Sequence, residues 1–154
     1  MKIQFTDYNA THQSELLQMM EDFYAIDGYE FDKDQTKQNL HDFGSNPALG
    51  RLFLIRADHD IAGYIVLAFG FSFEYGGRDA FIDELYIKSS FRGSGIGKMA
   101  MDYALQEARN NGIKVVHLEV EAHNEKAQGL YRSIGFQEND RKLMHIQLDQ
   151  MEQA

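Results

Sequence analysis

The sequence predicts an α/β domain of the α+β type: a mixed, mostly antiparallel sheet with helices packed on it. Three observations predict it. Residues 51–87 hold period-two apolar alternation interrupted by two turn signals, Asp58-His59-Asp60 and Gly76-Gly77, which reads as a run of antiparallel strands. Segments near 12–24, 96–108 and 124–134 carry apolar residues at helical spacing, and a capping signal at Asp32 opens a fourth helix. From Asp79 to Glu121 the order is strand, glycine-rich turn, helix and nearly continuous apolar strand, the order of a crossover between parallel neighbours.

In chain order, Lys2–Tyr8 alternates through Ile3 and Phe5 and reads as a first strand. Leu16, Leu17, Met20, Phe23 and Tyr24 then line one face of a helix over His12–Tyr24. The loop Ala25–Phe31 sets Tyr29 and Phe31 beside Asp27 and Glu30. Asp32 and Gln35 resemble a capping box and start a second helix running toward Phe43. Asn46-Pro47 to Gly50 is a turn into the strand Arg51–Ala57, and Asp58-His59-Asp60 is a solvated reversal rather than a metal site, because three adjacent turn residues rarely converge on one ion.

Ile61–Tyr75 reads as a long strand with Phe69, Phe71, Phe73 and Tyr75 on one face, an aromatic stripe expected in the core. Gly76-Gly77 turns it into the antiparallel Asp79–Ile87. After the glycines, Ile96, Ala100, Tyr103, Ala104 and Ala108 form a helical stripe closed by Asn110-Asn111-Gly112. Lys114–Glu121 is expected to lie parallel to the Asp79–Ile87 strand. Asn124 caps a last helix whose inner face is Ala127, Leu130, Tyr131 and Ile134, with Gly135 stopping it. Leu143–Leu148 reads as a final strand, and Gln150–Ala154 as a frayed end.

Bulk properties exclude several classes of function. One domain spanning residues 1–154 is the simplest reading of this length. The lack of any cysteine rules out disulfides, thiolate metal sites and an acyl-cysteine intermediate. No apolar run is long enough to span a membrane and the N-terminus lacks a secretory core, so the expected location is cytoplasmic, with no membrane partner. A net charge of −9 argues against nucleic acid as a partner. Residues 1–50 hold nine acids against three bases, which is either a solvated surface or a mouth that attracts a cationic amine.

The stretch from Ile82 to Ala100 organises the chain. Gly93, Gly95 and Gly97 lie between a strand and a helix, flanked by Arg92 and Lys98. Open N–H groups and the positive end of a helix dipole make such a turn a phosphate site. A Walker loop does not fit: Gly93 to Lys98 is one residue short, and Met99 stands where Ser or Thr would hold magnesium. A dinucleotide fingerprint fits Gly95, Gly97 and Ala100 with Glu119 or Glu121 downstream, but it belongs at the first strand of its fold.

The run Arg92-Gly93-Ser94-Gly95-Ile96-Gly97 resembles the pyrophosphate loop of the GNAT superfamily of acyl-CoA-dependent N-acetyltransferases. A second signature follows in order: Leu118-Glu119-Val120, then Asn124, Ala127, Leu130, Tyr131, Gly135 and Phe136, with Ile134 where Leu is common. The resemblance implies the GNAT fold, with six to seven strands, about four helices and two central parallel strands that splay apart. It also implies acetyl-CoA as co-substrate with no metal, a small-molecule amine acceptor and a homodimer.

Acetyl transfer from a thioester to an amine has three chemical needs. The amine must lose its proton from a value near ~10.4, the oxyanion must be stabilised, and the departing thiolate benefits from an acid. By resemblance, the main chain of Leu85, Tyr86 and Ile87 binds the pantetheine arm, Arg92, Gly93, Ser94, Gly95, Ile96, Gly97 and Lys98 hold the pyrophosphate, and Asn124 and Ala127 line the arm. Lys88, Lys126 and Arg132 add positive charge nearby. Tyr131 matches the general acid; a phenol is protonated at neutral pH and can donate as thiolate forms.

The base is open among Glu84, Asp83 and Glu119, with His117 as a lesser candidate. Asp83 and Glu84 are adjacent on a strand, so simple alternation sends them to opposite faces unless a bulge intervenes. Tyr24, Tyr29 and Phe31 are candidates to shape the acceptor pocket, or else packing aromatics. The function that follows is N-acetylation of a primary amine such as a polyamine, aminoglycoside or amino-acid derivative, by direct attack in a ternary complex. The rival readings are a module of the same fold that binds or senses acyl-CoA without turnover, and an acetyltransferase of protein N-termini or lysines.

Overall fold

The computed structural model describes residues 1–150. Along β2 (Gly50–Ala57), Leu52 and Leu54 alternate with Phe53 and Ile55, and all four are buried. A strand buried on both faces needs a layer on each side. On one side lie α1 (Gln13–Ile26) and α2 (Lys33–Gly44), whose Leu16, Leu17, Met19, Met20 and Leu40 cluster with Leu52, Leu54, Tyr64, Val66 and Tyr86. Opposite is α3 (Ile96–Asn110). Its Tyr103 stacks on Phe5 with ring centroids 4.5 Å apart and meets Phe53 edge-on at 5.0 Å.

The sheet runs in the order β1 (Ile3–Asp7), β2, β3 (Asp60–Ser72), β4 (Gly77–Ile87), β5 (Val115–Leu118). The first three pairings are antiparallel, and β4 with β5 is parallel. The α3 crossover supplies the length that a parallel connection requires. Pairing of β5 on β4 ends at Ile82↔Leu118, while β4 continues to Ile87. The end of pairing within β4 is what the splayed parallel pair implied by the resemblance requires.

Capping residues do what their chemistry predicts. The Asp32 side chain accepts from the Gln35 amide at 3.0 Å and starts α2, although the Gln35 side chain reaches Asn39 rather than closing a capping box. Two compact units divide the chain, Met1–Glu121 and the residues from Ala122 on. In the second unit Asn124 caps α4 (Glu125–Ile134) by accepting from the Ala127 amide at 3.1 Å, and Gly135 at φ +119° ends it.

Five expectations are corrected, three of them at the β3–β4–β5 end of the sheet. The aromatic stripe is not core: Phe71 is 63% exposed and Phe73 93%. β2 pairs no further than Gly50↔Ala68 and β5 begins opposite Asp79, so the end of β3 has β4 as its neighbour and no layer to enter. The turn there spans residues 73–76 rather than two glycines. β5 is also shorter than Lys114–Glu121.

Leu143–Leu148 forms no strand before the short turn of helix at Leu148–Gln150, and its apolar side chains are exposed. A strand needs a hydrogen-bonded neighbour as well as an apolar face, and only the face is encoded locally. The described sheet therefore has five strands rather than six or seven. The fraying expected after Gln150 lies outside the described residues.

Candidate active site

The site begins with a one-residue irregularity in β4. Val66 pairs with Glu84, but its neighbour Leu67 pairs with Ile82, leaving Asp83 as the extra residue of a β-bulge. A bulge re-aims side chains and cancels strict alternation. Glu84 consequently faces the α1 side, and the charge of Asp83 acts on both Glu84 and Tyr24 there. Two adjacent acids that alternation would separate thus share one neighbourhood.

Glu84 accepts hydrogen bonds from Tyr24 Oη at 2.6 Å and from Tyr64 Oη at 2.7 Å. Burial pushes its carboxyl above the usual carboxylate range; the two phenols pull it back, and the Asp83 charge adds to the rise. Asp83 is the more exposed of the pair, and the protein packed around its carboxyl raises it as well. Both phenols are raised, Tyr24 and Tyr64 alike, first by burial and also by the Glu84 carboxylate. Around them Phe23 meets the Tyr86 ring at 5.7 Å and Phe31 meets Tyr24 edge-on at 5.5 Å, so Phe31 packs against the site.

Tyr29 lies in the loop between α1 and α2 and is exposed, with its phenol donating to Glu121 just past β5. The carboxylates of Glu121, Asp27 and Glu119 all raise that phenol, so negative charge gathers here. Glu119 is exposed beyond the last paired residue of β5. His117 is held structurally: Nε2 lies 3.3 Å from Asp79 Oδ2, and the ring packs against Phe81 and Tyr75.

The glycine turn leaves the start of α3 without a side-chain cap. Gly93 and Gly95 take φ of +82° and +81°, a region closed to most side chains. Gly95 is the N-cap of α3 with no side chain to cap it, so first-turn N–H groups are left for a ligand. Space over the turn is open, since a Cβ on either glycine would meet no atom within 4 Å. The turn fits a pyrophosphate.

Nearby cations are already engaged. Lys88 Nζ lies 2.6 Å from Glu15, Arg92 Nε donates to the Ile87 carbonyl at 2.8 Å, and Lys98 pairs with Asp102 at 2.9 Å. The Lys98 pair is exposed and therefore a weak restraint.

In the second unit, burial raises the Tyr131 phenol, and its ring meets Phe136 with centroids 6.0 Å apart. Arg132 bonds Glu138 at 2.8 Å. Among the described residues no three His, Asp or Glu side chains are grouped to hold a metal ion, and no helix is long and apolar enough to cross a membrane.

Tyr64 escaped the reading of the sequence. It lies opposite Tyr86 and shares the face of Val66, the partner of Glu84, so a correct register would have put it diagonal to Glu84 on the same face. That register depends on the bulge, which no local pattern marks.

Comparison with known proteins gives the family and the fold. The chain is 31% identical to the thialysine N-epsilon-acetyltransferase of Mus musculus over 102 residues, 62% of this chain and 60% of that protein. Its fold matches the integron cassette protein HFX_CASS3 from the mobile metagenome of Cole Harbour Salt Marsh with a TM-score of 0.84 and 30% identity, covering 94% and 90% of the two chains. It also matches aminoglycoside N-acetyltransferase AAC(6')-Iy in complex with CoA, with a TM-score of 0.81 and 15% identity over 96% and 95% of the chains. The first curated relatives are covered over 43% and 60% of their own lengths, so the chain spans about half of them. The model of the acetyltransferase (GNAT) family matches residues 15–136, and the chain belongs to that family.

Proposed function

We propose that residues 1–154 act as one acetyl-CoA-dependent N-acetyltransferase domain whose acceptor is a small cationic primary amine. The observation that carries this reading is the bulge, which gathers Asp83 and Glu84 on the stretch of β4 just past the last β5 pair. An ammonium ion suits two neighbouring carboxylates, and one of them can take its proton.

Acetyl-CoA, when bound, supplies the activated acetyl group. The turn Arg92–Lys98 would hold its pyrophosphate through main-chain N–H groups, and the main chain of Leu85, Tyr86 and Ile87, beyond the last β5 pair, would bind the pantetheine arm. Glu84 would take one proton from the ammonium, directly or through one water, so that the neutral nitrogen can bond to the acetyl carbon; the second proton leaves that nitrogen to water as the C–S bond breaks. Asp83 stabilises the ammonium before that step. A backbone N–H of β4, fixed and without titration, serves the developing oxyanion. By its match to the family signature, Tyr131 would be the acid that gives sulfur a proton as the C–S bond breaks; its raised value keeps the phenol protonated at neutral pH, in the form that can donate. Asn124 and Ala127 would line the arm. Tyr24, Tyr29 and Phe31 border the acceptor.

The test is calorimetric binding of acetyl-CoA together with thiol release across a panel of polyamines, aminoglycosides and amino-acid derivatives. Binding plus turnover with a cationic amine supports the reading. Binding with no turnover on any amine or peptide N-terminus favours a module that holds acyl-CoA without chemistry.

A further inference from the structure

Both oxygens of Glu84 are engaged: Oε2 by the Tyr24 hydroxyl at 2.6 Å and Oε1 by the Tyr64 hydroxyl at 2.7 Å. An ionised carboxylate has only lone pairs to offer, so both phenols must donate. The donors come from different elements. Tyr64 stands on β3 with 0% exposure, whereas Tyr24 sits half-buried near the end of α1. The carboxylate cannot turn about its last torsion without losing one of the two bonds.

We infer that Tyr24 and Tyr64 are positioning residues that hold Glu84 ionised and in one orientation, so that it can take the acceptor amine's proton. The inference rests on Glu84 as the proton acceptor proposed above. Groups facing this carboxylate are Tyr24 from α1, Tyr64 from β3 and Asp83 beside it on β4, with Tyr86 close to Tyr64. Burial and Asp83 oppose its charge, and the two phenols favour it. Loss of either phenol therefore shifts the Glu84 titration to higher pH.

The experiment follows Glu84 by carboxyl 13C NMR in glutamate-labelled protein, with Glu84→Gln assigning the resonance, in wild type, Tyr24→Phe and Tyr64→Phe. The pH dependence of kcat/KM is measured on the same proteins. Each Phe variant should raise the Glu84 midpoint by about one pH unit, the effect of one charge-assisted hydrogen bond. The acid limb of kcat/KM should move up by the same amount, with KM for acetyl-CoA unchanged. A tyrosine that merely packs would move neither.

Unmoved NMR midpoints in both variants overturn the inference. Shifted midpoints with an unmoved acid limb also overturn it and transfer the proton acceptor to Asp83. If Tyr64→Phe fails to fold, Tyr24→Phe at the half-exposed helix end decides alone. A wild type that releases no thiol defeats the acetyl-transfer reading separately, and the NMR arm still decides what the two tyrosines do.

Discussion

At the scale of single residues, Glu84 stands where burial and hydrogen bonding pull in opposite directions, and burial wins: its folded value lies above the 4.5 of a free glutamate. The native state therefore holds a proton that the unfolded chain has released between 4.5 and the folded value. Stability falls as pH rises through that window and levels off above it. Glu84→Gln removes this dependence, so its Tm should gain on wild type as pH rises from 4.5, read by thermal denaturation at several pH values. Activity should be lost in the same variant, the usual opposition between a strained site and a stable fold. Tyr131→Phe should lower kcat on the order of 10²-fold with KM for the amine little changed, measured in steady state. The acids and Tyr131 were legible as residue types in sequence. What alternation obscured was the bulge that sets Asp83 out of the ladder beside Glu84, because the extra residue of a bulge is a property of two strands together.

Among elements, the glycines separate two kinds of constraint. Gly95 needs its left-handed backbone but has open space around it, so Gly95→Ala carries a conformational cost of about 1–2 kcal/mol. Its Tm should fall by roughly 2–8 °C. KM for acetyl-CoA should rise as the turn distorts. Gly63 has ordinary backbone angles, but a Cβ there would lie 2.0 Å from the Tyr86 carbonyl oxygen. Gly63→Ala must force β3 from β4 and should cost about 3 kcal/mol, seen as a lowered denaturation midpoint at unchanged m. Caps, the glycine turn and the crossover helix were legible because each depends on residues a few positions apart. Leu143–Leu148 and the Phe69–Tyr75 stripe misled for one shared reason. Local pattern gives a strand's faces, whereas neighbours decide whether a ladder forms and whether a face is covered.

Over the whole molecule, the net charge of −9 sets a field that favours cations. For a cationic amine KM should rise as salt is increased from low to physiological strength, while KM for a neutral amine should hold steady. A salt response equal for both would show that the acidic face is a solvated surface and no more. Fold class and family were legible because two motifs fix the centre of the chain, the glycine turn at Arg92–Gly97 and the signature from Leu118 to Phe136. The acceptor was not, since residues 20–45 match no motif, and the meeting of Tyr24 with Glu84 depends on how α1 packs on β4.

The most direct measurement is product analysis by mass spectrometry with 13C-acetyl-CoA and a diamine, comparing wild type with a protein lacking both acids, Asp83→Asn with Glu84→Gln. Labelled monoacetyl-amine and free CoA in equal amounts from wild type, with loss of both in the double variant, is the predicted result. Equal product from the two proteins would contradict the assignment of β4 as the catalytic strand, and no labelled amine from wild type with any acceptor would contradict the account itself.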